Sequence, residues 1–69
     1  MKVIYDSEVD VLKIVFNELK IDESDEGKPG VIFDYAKDGT IVSMEILDAS
    51  KMTAPSAFQY EVTGKKRAV

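Results

Sequence analysis

The chain has 69 residues, 13 of them acidic and nine basic, and it contains neither cysteine nor histidine. This length allows one domain with a small core. Without cysteine there are no disulfides or thiolate zinc sites, and without histidine the commonest metal ligand and the usual general base are missing. We therefore expect no cofactor. Small domains without such supports often gain stability by self-association, so we expect a homo-oligomer, most simply a dimer.

Charge and hydropathy limit the partners further. Residues 1–26 hold three basic and eight acidic side chains, whereas residues 27–69 hold six and five. An acidic domain is poorly suited to phosphate backbones, so nucleic acid is not the expected partner, whereas a basic protein is compatible. No apolar run is long enough to span a bilayer, and the N-terminus lacks the features of a signal peptide. We expect a cytoplasmic protein without a membrane partner.

Alternating apolar residues in the first 16 positions predict a β-hairpin. A turn centred on Glu8 and Val9 places apolar residues opposite one another on one face and leaves the other face mixed. The predicted pairs are Tyr5 with Leu12 and Val3 with Ile14 on the first face, and Ile4 with Lys13 and Lys2 with Val15 on the second.

Residues 17–29 contain an acidic run at residues 22–26. Leu19 and Ile21 fit an extension of a strand, but the acidic run has no apolar side chain for a core, and Gly27 and Pro29 interrupt it. This composition indicates a solvated loop or an edge segment. The run also lacks the ligand spacing of a calcium-binding loop.

The stretch from residue 30 to residue 50 predicts a second hairpin. Asp38 and Gly39 favour a type I′ turn, because both tolerate positive φ. A loop centred there makes one face wholly apolar, and the agreement of pattern with turn chemistry supports this register. The predicted pairs are Tyr35 with Val42, Phe33 with Met44 and Val31 with Ile46 on the apolar face, and Asp34 with Ser43 and Ile32 with Glu45 on the reverse face.

The region after this hairpin predicts a short helix over residues 48–53. Asp48 suits its N-cap, Pro55 ends it, and Leu47 and Met52 would pack it on the sheet.

Alternation in residues 57–63 predicts a last strand, followed by a basic tail at residues 65–69. The predicted class is therefore α+β and mainly β, in a single domain at residues 1–64. Its architecture is an antiparallel β-meander of four to five strands with one short helix.

Several short motifs in residues 1–52 share the spacing of a known protein family. They are Tyr5-Asp6, Asp10-x-Leu12-x-Ile14-x-Phe16, Gly30-Val31-x-Phe33-Asp34-Tyr35, Asp38-Gly39 and Glu45-Ile46-Leu47-x-Ala49-Ser50. These residues resemble the DUF2283 family of small prokaryotic proteins, and the last motif is the most specific. The family is a domain of unknown function, so the resemblance implies a class and no reaction.

Asp34 and Glu45 are candidates for carboxylate chemistry. In the predicted register they are diagonal neighbours, roughly 7–8 Å apart at the backbone. Such a pair could act as acid and base or hold a divalent ion, provided that a cleft and a third group are present. The alternative is that Asp34 is a solvated strand residue and that Glu45 pairs with a base such as Lys13.

Two further groups have weaker functional interpretations. Ser50 lies near Asp48 and Lys51, but no nucleophile elbow is present, so a serine within a capped turn is favoured. The bases Lys65, Lys66 and Arg67 suit nucleic acid or an acidic partner, but three charges on a terminal tail contribute little affinity. A solubilising tail is favoured.

Five apolar residues fall on the face opposite the predicted core. A single-core monomer has little use for them, so either another segment of the chain or a second subunit covers that face. These interface candidates are Ile4, Val11, Val15, Ile32 and Ile41.

Three functional hypotheses follow from these patterns. The leading one is a non-enzymatic, self-associating protein-interaction module. The second is a small carboxylate-based enzyme or metal-binding protein that uses Asp34 and Glu45. The third is a nucleic-acid-associated factor that uses the basic tail.

Overall fold

The structure is a computed structural model that describes residues 1–64, and it is one open sheet of five antiparallel strands. A single 3₁₀ turn at Ala49–Lys51 is the only helical element of this part of the chain. The mainly β class is confirmed. The strands are β1 (Lys2–Asp6), β2 (Val11–Val15), β3 (Glu23–Lys28), β4 (Val31–Tyr35) and β5 (Ile41–Leu47).

The strand order across the sheet is β1-β2-β5-β4-β3, so the sheet is not the simple meander that was expected. The last strand, β5, lies at the centre, and β2 pairs with it in the manner of a Greek key. The connection after β2 passes across the ends of β5 and β4. There the Phe16 N–H donates to the Val42 carbonyl at 2.8 Å, and the Asp22 N–H donates to the Tyr35 carbonyl at 2.7 Å.

The first hairpin has the predicted register. A four-residue loop at residues 7–10 joins β1 to β2, and all four predicted pairs are present. Apolar matching across the strands was therefore sufficient to define this hairpin.

The central hairpin, β4–β5, has four of its five predicted pairs. Tyr35 is the exception: it pairs with Ile41, and Val42 is the extra residue of a bulge. Ile41 therefore shares a face with Tyr35. The prediction that Ile41 lies on the reverse face is wrong. The confirmed pairs are Val31 with Ile46, Ile32 with Glu45, Phe33 with Met44 and Asp34 with Ser43.

The turn of this hairpin explains the bulge. The Gly39 N–H donates to the Ala36 carbonyl at 2.9 Å, and the Ala36 N–H donates to the Thr40 carbonyl at 2.8 Å, so the loop has three residues. Gly39 takes φ 90°, but Lys37 and Asp38 do not have positive φ, so the predicted type I′ turn is wrong. A three-residue loop shifts the pairing of the strands by one residue relative to the predicted two-residue loop. The extra residue at Val42 restores the predicted register for the rest of the hairpin.

The acidic run forms an edge strand, β3, with every side chain exposed. Of the two predicted alternatives, the edge segment is correct and the loop is not. Leu19 and Ile21 lie outside any strand. Pro29 and Gly30 join β3 to β4, and Gly30 has φ 87°, which suits the third position of a type II turn.

The predicted helix over residues 48–53 is only the three-residue 3₁₀ turn. Asp48 precedes it with φ 50° and makes no side-chain cap hydrogen bond. Ala49 is fully buried, whereas Met52 is 62 % exposed, so the alanine packs this turn and the methionine does not.

The predicted last strand at residues 57–63 is absent, because these residues pair with no other strand. The basic tail at residues 65–69 lies outside the described residues.

Cross-strand partners share a face, so the register divides the sheet into two faces. We call them the apolar face and the mixed face. Nine half-buried apolar side chains lie on the apolar face: Val3, Tyr5, Leu12, Ile14, Val31, Phe33, Tyr35, Met44 and Ile46. The exposed residues Glu23, Asp25, Lys28 and Ile41 share this face. The mixed face comprises Lys2, Ile4, Asp6, Val11, Lys13, Val15, Ser24, Ile32, Asp34, Ser43, Glu45 and Leu47.

The sheet is a single layer. In residues 1–64 no α-helix or second sheet packs on it, and Val42 and Ala49 are the only fully buried apolar side chains. The chain measures 37 × 32 × 19 Å and exposes 5582 Å². A compact monomer of this length is expected to expose roughly 4,300 Å². Residues 1–64 therefore lack the second layer that stable domains normally have.

Candidate functional site

A buried carboxylate cluster lies on the mixed face. Asp34 is 2 % exposed, and its neighbours on the two adjacent strands are Ser24 and Ser43. The Ser24 hydroxyl donates to Asp34 Oδ1 at 2.6 Å, and the Ser43 hydroxyl donates to Oδ2 at 2.5 Å. One hydroxyl per carboxylate oxygen compensates for much of the cost of burying this charge.

Glu45 adds a second carboxyl group to this cluster, within hydrogen-bonding range of Asp34. Burial, followed by the contact with Asp34, raises the pKa of Glu45. Burial alone would also raise the pKa of Asp34, but the hydrogen bonds from Ser24 and Ser43, together with Glu45 and the charge of Lys13, hold it below its usual value. Asp34 is therefore the ionised member, and Glu45 is the member that retains a proton more readily.

The structure thus brings together the two carboxylates that the sequence singled out. Three grooves of the described surface are lined by other residues, and Asp34 is inaccessible. Residues 1–64 contain no group of three potential metal ligands. No buried side-chain polar atom of this part of the chain lacks a hydrogen-bond partner.

A second polar network is centred on Asp10, at the end of the first hairpin loop. Asp10 has φ 57°, and its Oδ1 accepts the Tyr5 hydroxyl at 2.7 Å and the Ser50 N–H at 3.0 Å. Its Oδ2 accepts the Ser50 hydroxyl at 2.7 Å, and its carbonyl accepts the Ala49 N–H at 3.1 Å. The loop of the first hairpin is thereby tied to the 3₁₀ turn, 40 positions further along the chain.

This network decides the role of Ser50. Its hydroxyl donates to Asp10, and not to the nearby Asp48. The Ser50 hydroxyl and the Tyr5 hydroxyl lower the pKa of Asp10, which makes this carboxylate a weaker base than an ordinary aspartate. Ser50 thus links the 3₁₀ turn to the first hairpin loop, whereas the side-chain cap from Asp48 that the sequence favoured is not formed.

Sequence reasoning did not identify Asp10 or Ser24 as hydrogen-bonding partners. The available signal for Asp10 was an aspartate at the end of a hairpin loop, where a left-handed conformation is tolerated. The signal for Ser24 was an uncharged residue within an acidic run. Neither signal specifies the partner, because both partners lie far away in the sequence.

The interface candidates are distributed over both faces. Four of them, Ile4, Val11, Val15 and Ile32, lie on the mixed face, interspersed with Lys13 and Glu45. Ile4 is exposed and the other three are half-buried. The fifth, Ile41, is moved by the bulge to the side of Tyr35. Whether any of them contacts a partner stays a prediction.

The apolar face is the largest unpartnered feature of the described chain. Its nine apolar side chains are half-buried. At one edge, three charged residues of β3 share this face: Glu23, Asp25 and Lys28, which pair with Tyr35, Phe33 and Val31. At the opposite edge, an open groove of about 450 Å³ is lined by Met1, Val3, Phe58 and Tyr60. The face is thus apolar with one charged edge.

Within residues 1–64, no helix has the length and apolar character needed to cross a membrane.

A family model described as a protein of unknown function, DUF2283, matches residues 2–50. The match includes all five strands, the Asp34 cluster, and every residue of the Asp10 network. No curated protein and no solved structure matches the chain. Because the matched segment is well over half of the 69 residues, the chain belongs to the DUF2283 family, whose function is unknown.

Proposed function

We propose that this chain is a non-enzymatic, self-associating protein-interaction module in which a second copy covers the apolar face. The observation that carries the proposal is the lack of any second layer over nine apolar side chains. A homodimer would turn one sheet into a two-layer sandwich with its sheets about 10 Å apart.

The surface area supports this assignment. The chain exposes roughly 1,300 Å² more than a compact monomer of its length. A stable interface of standard size buries about 800 Å² from each partner. The surplus is therefore sufficient for such an interface, and homodimer interfaces are typically as apolar as this face.

The mixed face is less suited to a tight interface. Lys13 and Glu45 pair at its centre, and removing their charges from water costs free energy that the neighbouring apolar residues must offset. Ile4, Val11, Val15 and Ile32 stay candidates for a second and weaker contact surface, such as one for a different protein.

The two alternative functions have less support. The contact between Asp34 and Glu45 suits a carboxylate-based enzyme, but Asp34 is buried against serine hydroxyls and lines no groove. The basic residues of the third hypothesis lie beyond residue 64, and the acidic domain that precedes them repels nucleic acid.

Two adjacent residues of β1 provide a matched test. Val3 lies on the apolar face and Ile4 on the mixed face, where its cross-strand neighbour is Lys13. Val3→Glu places a charge in the proposed interface, whereas Ile4→Glu adds a charge opposite a lysine. Sedimentation equilibrium of both variants and of the wild type measures the dimer dissociation constant.

We expect a wild-type dimer that Val3→Glu weakens by at least about 30-fold, because a buried interface charge costs 2 kcal/mol or more. Ile4→Glu should leave the dissociation constant within about threefold of the wild type. Circular dichroism verifies that both variants retain the sheet. A folded wild-type monomer at high micromolar concentration would rule out the proposal, and so would equal effects of the two variants.

A further inference from the structure

We infer that the free edge of β1 pairs with β1 of a second copy, in an antiparallel register centred on Ile4. This inference concerns a strand edge and not the apolar face, so it goes beyond the proposed function. Two features of β1 support it: the direction of its backbone groups and the order of its side chains.

The backbone groups of Val3 and Tyr5 point away from the sheet. The Phe16 N–H donates to the Val42 carbonyl, which extends the β2–β5 ladder by one hydrogen-bonded pair. Hydrogen-bonded pairs alternate along an antiparallel ladder, so the even-numbered residues of β2 bond to β5 and the odd-numbered residues bond to β1. Their partners in β1 are residues 2, 4 and 6. The residues between them, Val3 and Tyr5, therefore direct their N–H and carbonyl groups at the free edge.

This edge has no backbone partner within residues 1–64. β1 is an outer strand of the sheet, and no turn or loop hydrogen bond of the described chain reaches Val3 or Tyr5. The segment that carries Phe58 and Tyr60 shares a groove with Val3 but makes no backbone hydrogen bond to it. A row of unpaired N–H and carbonyl groups is a template for the addition of another strand.

The opposite edge of the sheet is less suited to strand addition. The sequence of β3, ESDEGK, contains three acidic residues and one lysine, and its pairing with β4 is irregular between Asp25 and Lys28. Charged side chains and irregular pairing are features that keep edge strands apart. β1 pairs regularly over its whole length and has Val3, Ile4 and Tyr5 at its centre.

A second copy of β1 complements this edge in one register. With Ile4 opposite Ile4 of the second copy, Val3 lies opposite Tyr5, and Lys2 lies opposite Asp6. By two-fold symmetry each unlike pair occurs twice, so the Val3–Tyr5 pairs form four backbone hydrogen bonds. The Lys2–Asp6 pairs join opposite charges, and Ile4, which is 42 % exposed in one chain, is covered by its own copy. A shift by two residues would pair only residues 2–4 or 4–6 of β1 and place a charge opposite Ile4.

Charges on the neighbouring strand do not oppose this register. Lys13 lies beside Ile4 on β2, so three strand spacings, about 14 Å, separate it from Lys13 of the second copy. This distance exceeds the Debye length of about 8 Å at physiological ionic strength. Glu45 pairs with Lys13 on its other side.

Charges at the ends of β1 are compatible with the register as well. Glu18 lines a groove with Lys2, and the Met1 amine at the same groove has the opposite charge to Glu18. Glu8 lies in the loop after β1, which adjoins the amino-terminal end of β1 of the second copy. Acidic Glu8 and the Met1 amine therefore attract each other across the two copies.

The pairing closes on itself. Both copies use the same edge, so their two sheets become one continuous sheet whose outer edges are the charged β3 strands. The two apolar faces lie on the same side of this larger sheet, because Val3 and Tyr5 of both copies share a face. Edge pairing therefore leaves the apolar face open for the proposed dimer.

The contact is small. One short strand from each copy buries well under the 800 Å² or so per partner of a standard interface. We expect a dissociation constant on the order of 1 mM, so the edge pairing is sparsely populated at the micromolar concentrations that measure the apolar-face dimer. The comparison of Val3→Glu with Ile4→Glu is therefore little affected by it.

Single cysteines test the register, because the chain has no cysteine of its own. Lys2→Cys, Ile4→Cys and Asp6→Cys all change exposed positions on the mixed face. Each variant is oxidised alone at about 1 mM, the first and third also in an equimolar mixture, and mass spectrometry follows disulfide formation. In the centred register the Cα atoms at position 4 are about 4.5 Å apart, which is within the range of a disulfide.

We expect the disulfide between two copies of position 4 to form at least about tenfold faster than that between two copies of position 2 or of position 6, which lie roughly 14 Å apart. In the mixture, the disulfide from position 2 to position 6 should dominate. Equal rates at all three positions would indicate random collisions and would overturn the inference. Faster linkage at position 2 or 6 than at position 4 would overturn it as well.

Amide hydrogen exchange of the wild type is an independent measurement. Between micromolar concentration and about 3 mM, exchange at Val3 and Tyr5 should slow roughly threefold, because two-thirds of the chains are then paired. The Ile4 amide, which bonds to β2, should exchange slowly at both concentrations. The apolar-face dimer alone leaves the Val3 and Tyr5 amides at a free edge.

Two results of this exchange experiment would overturn the inference. One is unprotected Val3 and Tyr5 amides at about 3 mM. The other is protection that does not depend on concentration, which would mean that a segment of the same chain pairs with the edge. Sedimentation of the wild type at micromolar concentration tests the apolar-face dimer separately, so either proposal can fail without the other.

Discussion

The two faces of the sheet differ in how far a single chain buries or hydrogen-bonds their side chains. On the mixed face, Asp34 is buried by its own neighbours, and each carboxylate oxygen accepts a serine hydroxyl. On the apolar face, nine hydrophobic side chains lie side by side, and residues 1–64 contain no α-helix and no second sheet to cover them. The buried polar groups of the mixed face therefore find their partners within one chain.

This difference suggests that the mixed face contributes to folding of one chain and that the apolar face contributes to the proposed association. Hydrogen bonds of the Asp34 cluster form within one copy, so they contribute to the stability of that copy. In the proposed dimer a second copy buries the apolar face, so the contribution of that face to stability should depend on protein concentration. Substitutions on the two faces should accordingly be distinguishable by whether their effect varies with concentration.

The largest expected effect comes from Asp34→Ala. The change removes the acceptor of two hydroxyls in a buried network, and we expect the free energy of unfolding to fall by about 3 kcal/mol. Urea denaturation at fixed concentration measures it. Asp25→Ala, an exposed aspartate on the adjacent strand, serves as the control and should cost little. Equal losses in the two variants would contradict the role of the cluster.

Phe33→Ala tests the apolar face. Truncating this aromatic residue of the apolar face should weaken self-association by about 30-fold, the effect of an interface residue worth about 2 kcal/mol. The loss of Tm should be larger in dilute than in concentrated solution. Ile32→Ala, the preceding residue on the mixed face, should shift Tm by the same amount at both concentrations. Concentration dependence in the Ile32 variant, and none in the Phe33 variant, would reverse the assignment of the faces.

Glu45→Gln tests the proton held in the carboxyl cluster. A raised pKa in the folded state means that stability from Glu45 is complete below its ordinary pKa of 4.5 and is lost as pH rises through the folded value. Tm of the wild type should therefore decline from mildly acidic towards neutral pH. Glutamine keeps a donor for Asp34 but cannot ionise, so the variant should show a shallower decline.

The lowered pKa of Asp34 has the opposite sign. Its contribution is present above its ordinary pKa of 3.8 and is lost as pH falls through the lower folded value. Calorimetric Tm values from acidic to neutral pH measure both the loss of stability due to Asp34 at low pH and the loss due to Glu45 at higher pH. Parallel curves for wild type and Glu45→Gln would show that Glu45 does not titrate differently in the folded protein.

The smallest expected effect is that of Ser50→Ala, which removes one hydroxyl from the partly exposed Asp10 network. The Tm should fall by a few degrees, because the backbone hydrogen bonds to Asp10 remain. Ser56→Ala, at an exposed position outside the network, is the control. No difference between these two serines would show that the link to Asp10 adds nothing to stability.

The sequence predicted local pairing well, because a one-residue slip of either hairpin would mix the two faces. All four pairs of the first hairpin and four of the second are confirmed. The fifth pair was wrong because Gly39 supports a three-residue loop as readily as a two-residue one. Hydrophobic alternation does not reveal a loop and a bulge that compensate for each other.

Non-local features were not predicted. The acidic edge strand β3 carries no apolar pattern, and its pairing depends on the backbone of β4. The links from Ser24 to Asp34 and from Asp10 to Ser50 join residues whose separation in the chain no local rule specifies. Alternation in residues 57–63 predicted a strand, but no sheet edge in the described chain pairs with it.

The central position of β5 has a consequence for how the polypeptide reaches its native state. β5 is the last strand to be synthesised, yet it is the only one that joins the β1–β2 pair to the β3–β4 pair. Until residue 47 is available, the β1–β2 pair and the β3–β4 pair cannot be joined into the five-stranded sheet. Completion of the sheet requires closure of long loops, which slows folding and exposes unpaired strand edges to aggregation. Rapid insertion of β5 is therefore the step on which productive folding of this chain depends.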